Sequence, residues 1–140
     1  MRLIFMRHGE SSNNIAAVNA QNSNSTYEEL RTFDPEISGL GEAACRKMGE
    51  QIKGMGVTKI FCSAQKRAVV SAKCLREGMG QEIPIELLLN SHELYGVYKG
   101  EKIIDGLTKK QILEICPDIL NDLEDEDLPW NHNTKSLENK

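Results

Sequence analysis

An α/β fold with a parallel sheet is predicted by three observations. Short apolar runs recur at Leu3 to Met6, Val57 to Cys62 and Ile83 to Leu88; amphipathic stretches lie between them; and glycine or proline marks their ends. Strand, helix, strand, helix, strand at this spacing demands crossover connections, which place successive strands parallel. At 140 residues the chain suffices for one domain with one core.

The first run, Leu3-Ile4-Phe5-Met6, stops at Arg7-His8-Gly9-Glu10 and is expected to be a buried strand ending in polar residues. Ser11 to Thr26 is rich in Asn and Ser and reads as a polar surface excursion with one helical turn around Ile15 to Val18. After Asp34-Pro35-Glu36-Ile37-Ser38 a helix is expected, with Ser38 as N-cap, with Ala44, Met48, Ile52 and Met55 on its apolar face, and with Gly54 and Gly56 at its end. The second strand, Val57 to Cys62, precedes a second helix from about Ala64 to Glu77, for which Ser63 is a natural N-cap, with a role as phosphate donor the alternative. Its face carries Ala68, Ala72 and Leu75. A third strand follows at Ile83 to Leu88, then an amphipathic helix over Leu107 to Ile115 that Pro117 stops. From Asp118 to Lys140 an acidic, polar tail is expected, frayed beyond Asn131, so the folded domain spans residues 1–117 and the tail residues 118–140.

The net charge of −4 is unevenly spread. Up to Pro117 fifteen Lys and Arg face fourteen Asp and Glu, a balance of +1, and from Asp118 onward two face seven, a balance of −5. A near-neutral body without a basic stripe argues against nucleic acid as partner and leaves room for a local anion pocket. Cys45, Cys62, Cys74 and Cys116 form no CxxC pair and have no histidine at metal spacing, which predicts free thiols in a reducing, cytoplasmic setting. No stretch reaches membrane length and none resembles a signal segment.

Open α/β sheets bind ligands beyond the carboxyl ends of their strands, and the chemistry-bearing residues fall there. Arg7 and His8 follow the first run: a neutral imidazole can attack phosphorus while an adjacent guanidinium holds the phosphoryl oxygens. A chance polar loop at a strand end is the competing reading. Arg67 lies with Lys66 in the first turn of the second helix, where the macrodipole disfavours cations, so that turn is either an anion pocket or a solvated basic turn. Glu93 follows the third strand and is either a proton donor for a leaving oxygen or an ordinary loop carboxylate.

Taken together, these pieces resemble the histidine phosphatase superfamily, the phosphoglycerate mutase-like family. The resemblance rests on Arg7-His8-Gly9-Glu10-Ser11 with Asn14, on Asp34-Pro35-Glu36-Ile37-Ser38 with Gly41-Glu42-Ala43, on Ile60-Phe61-Cys62-Ser63 with Arg67-Ala68, on His92-Glu93 with Tyr95-Gly96, and on Gly106-Leu107-Thr108 to Pro117. It implies a three-layer fold, with a mostly parallel sheet between helices. It also implies that His8 becomes phosphorylated, that Arg7 and Arg67 bind phosphate, that Glu93 donates the proton, that Ser11 and Asn14 touch substrate, and that neither metal nor organic cofactor is needed. The expected partner is a small phosphorylated substrate or inorganic phosphate, and the expected activity is that of a phosphomonoester phosphatase. A phosphoglycerate mutase-type transfer and a catalytically weak phosphate-binding protein are the alternatives.

Two departures from the family pattern stand out. Glu93 to Gly96 is one residue shorter than usual, and the second histidine, which in the family follows a later apolar strand and precedes a glycine, has no counterpart. His132 sits in Pro129-Trp130-Asn131-His132-Asn133, without an apolar run before it or glycine after it, and His92 fits no better. The expectation is a truncated or divergent C-terminal part whose open sheet edge a homodimer or a partner chain would cover. Arg31, Tyr95 and Lys102 are candidate substrate contacts for which plain surface placement is the alternative.

Overall fold

The computed structural model describes residues 2–91, 97–99 and 102–132. Its centre is a β–α–β unit. Strand β1 (Ile60–Cys62) leads into the long helix α4 (Lys66–Met79) and on to β2 (Ile85–Leu87), which pairs with β1 in parallel register, Ile60 opposite Ile85 and Cys62 opposite Leu87. On the other side of β2, the Leu87 N–H donates to the Leu120 carbonyl at 2.9 Å and the Leu120 N–H to the Ile85 carbonyl at 2.8 Å, a single parallel bridge. The parallel pairing matches the sequence expectation, but both strands are shorter than the runs Val57 to Cys62 and Ile83 to Leu88. Two short segments, β3 (Tyr98–Lys99) and β4 (Lys102–Ile103), form a separate antiparallel pair.

Helix α3 (Gly39–Ile52) packs along α4, and its start is as expected: the Ser38 hydroxyl accepts the Gly41 N–H at 3.0 Å. Its buried face differs from the one expected. Gly41, Cys45, Gly49 and Ile52 are buried, whereas Ala44, Met48 and Met55 face solvent. The cause is close backbone approach: a Cβ on Gly49 would fall 2.1 Å from the Leu75 carbonyl oxygen, and one on Gly78 would fall 1.9 Å from that of Arg46. Small residues, not large ones, therefore make this helix seam. Helix α4 runs Lys66–Met79 with Gln65 as N-cap, not Ser63, and ends on Gly80 in the left-handed conformation.

The polar stretch after Glu10 holds more structure than expected. Ser12–Gln21 forms helix α1, three turns instead of one, followed by the single turn α2 (Tyr27–Leu30). Asn13 ties α1 to the following loop, its Oδ1 accepting the Thr32 N–H and its Nδ2 donating to the Thr32 carbonyl, each at 2.8 Å. Helix α5 (Lys109–Ile115) starts on a Thr108–Gln111 capping box and buries Ile112.

Two further expectations are corrected. The run Leu3 to Met6 forms no strand: no neighbour pairs with it among the described residues, and its side chains are exposed, Phe5 by 90%. An extended segment without a hydrogen-bonded neighbour is not a strand, however apolar it is. Nor does the packed body stop at Pro117. Ile119 and Trp130 belong to the same core cluster as Val69, Ile85 and Ile112, and Leu123 packs against it. Buried Asn131 accepts the Gly106 N–H at 2.9 Å and donates to the Ile104 carbonyl at 2.8 Å. Those hydrogen bonds hold Pro129 to His132 against the chain before α5, where sequence periodicity shows nothing.

Candidate active site

The loop that carries His8 is clamped from two sides. Its Gly9 N–H donates to the Ser71 hydroxyl of α4 at 3.0 Å, and a Cβ on Gly9 would fall 2.6 Å from the Gly41 carbonyl oxygen of α3. Only glycine fits there. One residue on, the Glu10 carbonyl accepts the Ser38 N–H at 2.9 Å, and its Oε1 accepts the Ser38 hydroxyl proton at 2.7 Å. The Ser12 N–H then reaches the Glu36 carbonyl at 2.9 Å.

His8 is half-buried, and its Nδ1 lies 2.7 Å from the Gly9 carbonyl oxygen. A carbonyl can only accept, so Nδ1 carries the proton and a neutral ring holds its lone pair on Nε2. Arg7 beside it is exposed.

Arg67 reaches this loop through Ser71, one helical turn further along α4. The Ser71 hydroxyl takes the Gly9 N–H and gives its own proton to the Arg67 carbonyl at 2.7 Å, so one side chain joins the first turn of α4 to the His8 loop. Arg67 is buried at 6% exposure, and its Nη1 lies 4.0 Å from Oδ1 of Asp34. The Asp34 carboxylate caps α4 from a distant segment, accepting the Lys66 N–H with both oxygens at 3.0 and 3.1 Å. Burial pushes the Asp34 carboxyl above its ordinary value, outweighing the Lys66 N–H and the charges of Arg67 and Lys66, which pull it down. The Lys66 ammonium turns to Glu36.

Ser11 and Asn14 form the start of α1. Asn14 Oδ1 accepts both the Ser11 N–H at 2.9 Å and the Ser11 hydroxyl proton at 3.0 Å, and Ser11 is 1% exposed. Glu93, His92 and Tyr95 lie outside the described residues, as does the side chain of Lys102. Arg31 pairs with Glu28 at 3.1 Å and stacks over Tyr27, while His132 is exposed in the turn after Pro129. The structure thus links the Gly9 N–H and the Arg67 carbonyl, backbone to backbone, through the Ser71 hydroxyl. Spacing carries no signal for the Ser71 contact; the one signal for Asp34 is its place at the head of Asp34-Pro35-Glu36-Ile37-Ser38.

A cavity of about 430 Å³ is lined by Asp34, Asp105, Thr108, Gln111 and Asp127 among others. Among the described residues no group of three or more His, Cys, Asp or Glu is placed to hold a metal ion, and no helix is long and apolar enough to cross a membrane. The four cysteines are unpaired thiols. Burial pushes Cys62 up to about 12 and Cys74 up to about 11, so both stay protonated and unreactive near neutral pH.

The His8 loop is thus joined, through the Ser71 hydroxyl, to the backbone of the helix start that carries buried Arg67. The family is specific: the histidine phosphatase superfamily (branch 1) matches residues 3–127, and the chain belongs to it. Members of that superfamily are typically phosphoryl-transfer enzymes. No curated protein matches the chain in sequence at a significant level. Among solved structures, the ecdysone phosphate phosphatase EPPase from Bombix mori, crystallised in complex with tungstate, is similar in fold, with a TM-score of 0.55 and 16% identity. The match covers 87% of this chain and 43% of that one, so the chain spans less than half the length of that relative.

Proposed function

We propose that this chain carries the phosphoryl-accepting half of a phosphomonoester phosphatase that works through a phosphohistidine on His8. The observation that carries the reading is the 2.7 Å contact between His8 Nδ1 and the Gly9 carbonyl, which directs the ring's lone pair to Nε2. In this reading Nε2 attacks the phosphorus of the ester, the bond from phosphorus to the leaving oxygen breaks, and Glu93 supplies that oxygen with its proton. Water then attacks the phosphohistidine, gives a proton to Glu93, and inorganic phosphate departs with the ring neutral again. Arg7 and Arg67 hold the phosphoryl oxygens, and Asn14, with its carbonyl committed to Ser11, has its amide N–H groups to offer substrate. Ser11 supports it from behind.

The tungstate in the EPPase complex supports an oxyanion as ligand, because tungstate shares the tetrahedral, doubly charged form of phosphate. The exposed run Leu3 to Met6 supports the finer fold, in which these residues become a strand of a three-layer, mostly parallel sheet once a neighbouring strand covers them. A second copy of the chain is one such cover.

A second reading, a phosphate-binding protein with little turnover, is favoured by the histidine count. The chain has three, and neither His92 nor His132 is followed by glycine at the end of an apolar run. Acid-quenched trapping with a labelled phosphomonoester separates the two. Acid-labile label on the wild-type chain and none on His8→Ala is expected. A folded chain that binds vanadate yet traps no label leaves the binding protein.

A further inference from the structure

We propose that two copies of the chain exchange their first runs, Leu3 to Met6 of each adding as a strand to the free edge of β1 in the other. The pairing of β1 sets that edge. The Ile60 N–H donates to the Pro84 carbonyl at 3.0 Å and the Cys62 carbonyl accepts the Leu88 N–H at 2.8 Å, so both residues turn their backbone groups to the β2 side. Phe61 between them turns its N–H and carbonyl the other way, where no strand pairs with β1 among the described residues. Lys59, the nearest cation in sequence, does not guard this edge. Its ammonium lies over the Phe61 ring at 5.4 Å and donates to Glu86 of β2 at 2.8 Å, on the paired side.

The occupant is the chain's other unpaired stretch. Leu3 to Met6 is apolar, free of proline and charge, and four residues long against the three of β1. Its far end is already fixed, because the Gly9 N–H donates to the Ser71 hydroxyl and the Glu10 carbonyl accepts the Ser38 N–H. Within one copy, therefore, the run and the edge both stay open, and each copy carries what the other lacks. A reciprocal exchange satisfies both at once, with the same two surfaces meeting twice about a two-fold axis. Counted over both copies, the exposed side chains of Leu3, Ile4, Phe5, Met6 and Phe61 approach the ~1,000 Å² that a specific interface needs. This pairing goes beyond the phosphoryl-transfer reading and stands whether or not the chain transfers phosphate.

The test uses the full chain, as wild type and as a double variant, Ile4→Pro with Phe5→Pro. The two prolines remove an N–H from each side of the run at positions that are exposed. Sedimentation velocity over a wide range of protein concentration reads the oligomeric state, NMR reads hydrogen exchange at the Phe61 amide, and thermal melting reads folding. The expected wild type is a dimer that dissociates on dilution, with Phe61 amide exchange slowed about tenfold or more in the dimer. The variant should melt within a few degrees of the wild-type monomer, stay monomeric at every concentration and exchange that amide freely. A wild-type chain that is monomeric throughout overturns the proposal and leaves the run to its own β1 or to another protein. A dimer that survives the two prolines, or one whose Phe61 amide exchanges as fast as in the monomer, overturns it as well. Should the variant melt far lower, the wild-type dimer and its Phe61 amide still decide.

Discussion

Two stretches of similar apolar character meet opposite fates. Ile83 to Leu87 lies in the core, Ile85 fully buried between β1 and the Leu120 bridge; Leu3 to Met6 is extended and exposed. Composition does not separate them. The difference is neighbours: β2 has hydrogen-bonding partners on both edges, and the first run has none among the described residues. His8 stands where the two regimes join, at the end of the uncovered run but held through Gly9 and Glu10 to α4 and to Ser38 before α3. The loop that carries His8 is thus held by hydrogen bonds while the apolar run leading into it has no paired neighbour among the described residues.

The covered region should be the fragile one. The largest effect is expected at the helix seam, where Gly78→Val forces α3 and α4 apart because its Cβ would lie 1.9 Å from the Arg46 carbonyl oxygen. A loss of about 4 kcal/mol is expected, a large fraction of the stability of an ordinary domain, read as a strong drop of the denaturation midpoint. A valine accepted there at little cost would mean that the seam is looser than described. Next comes Ile85→Ala, a cavity in the centre of the core, at about 3 kcal/mol in the same measurement.

How far the sequence was legible follows the same division. The β–α–β unit, the parallel pairing, the Ser38 cap and the place of Arg67 at a helix start were readable because local signals and tertiary packing agree there. The buried face of α3 was not, because Gly41, Cys45 and Gly49 carry no apolar periodicity, and close approach of two backbones leaves no mark except glycine. Helix α1 was underread because Asn and Ser are weak helix formers; Asn13 and Asn14 earn their place by bonding to Thr32 and Ser11 instead. Trp130 and Asn131 lie in a stretch that reads as tail, because their hydrogen bonds reach Leu107, Gly106 and Ile104, more than 20 residues back in the chain. Arg67 was legible at a helix start, whereas His8 follows a run that forms no strand, and the contacts of Ser71 with Gly9 and of Asp34 with Lys66 join residues 62 and 32 positions apart, which spacing does not encode.

Outside the core, electrostatics supplies a smaller, pH-dependent effect. Arg76 holds Asp118 through both carboxylate oxygens, one at 2.8 Å, and its hydrogen bonds lower the Asp118 carboxyl to about 2. A carboxyl lowered on folding stabilises the fold above its unfolded value of 3.8 and loses that contribution as pH falls toward about 2. Because Asp118 is 57% exposed, solvent screening limits the effect to about 1 kcal/mol or less. Asp118→Asn should therefore lower the melting temperature slightly at neutral pH, with the gap to wild type closing between pH 4 and pH 2. Asp34 runs the other way. Its raised carboxyl favours the fold at low pH and subtracts from stability as pH rises through its folded value, so Asp34→Asn should flatten that slope.

The smallest effect is expected where composition suggests the largest. Phe5 is the bulkiest member of the first run, yet it is 90% exposed, so Phe5→Lys removes almost no buried area from a single chain. Its effect on unfolding should stay within about 0.5 kcal/mol, against about 3 kcal/mol for Ile85→Ala. That contrast holds only while Leu3 to Met6 remains uncovered. Unfolding measured at several protein concentrations, alongside sedimentation, decides it: a wild-type midpoint that rises with concentration, and a Phe5→Lys midpoint that does not, would show that the run is covered by a second copy. The two stretches would then differ only in where their neighbouring strands come from, and the His8 loop would be fastened at both ends.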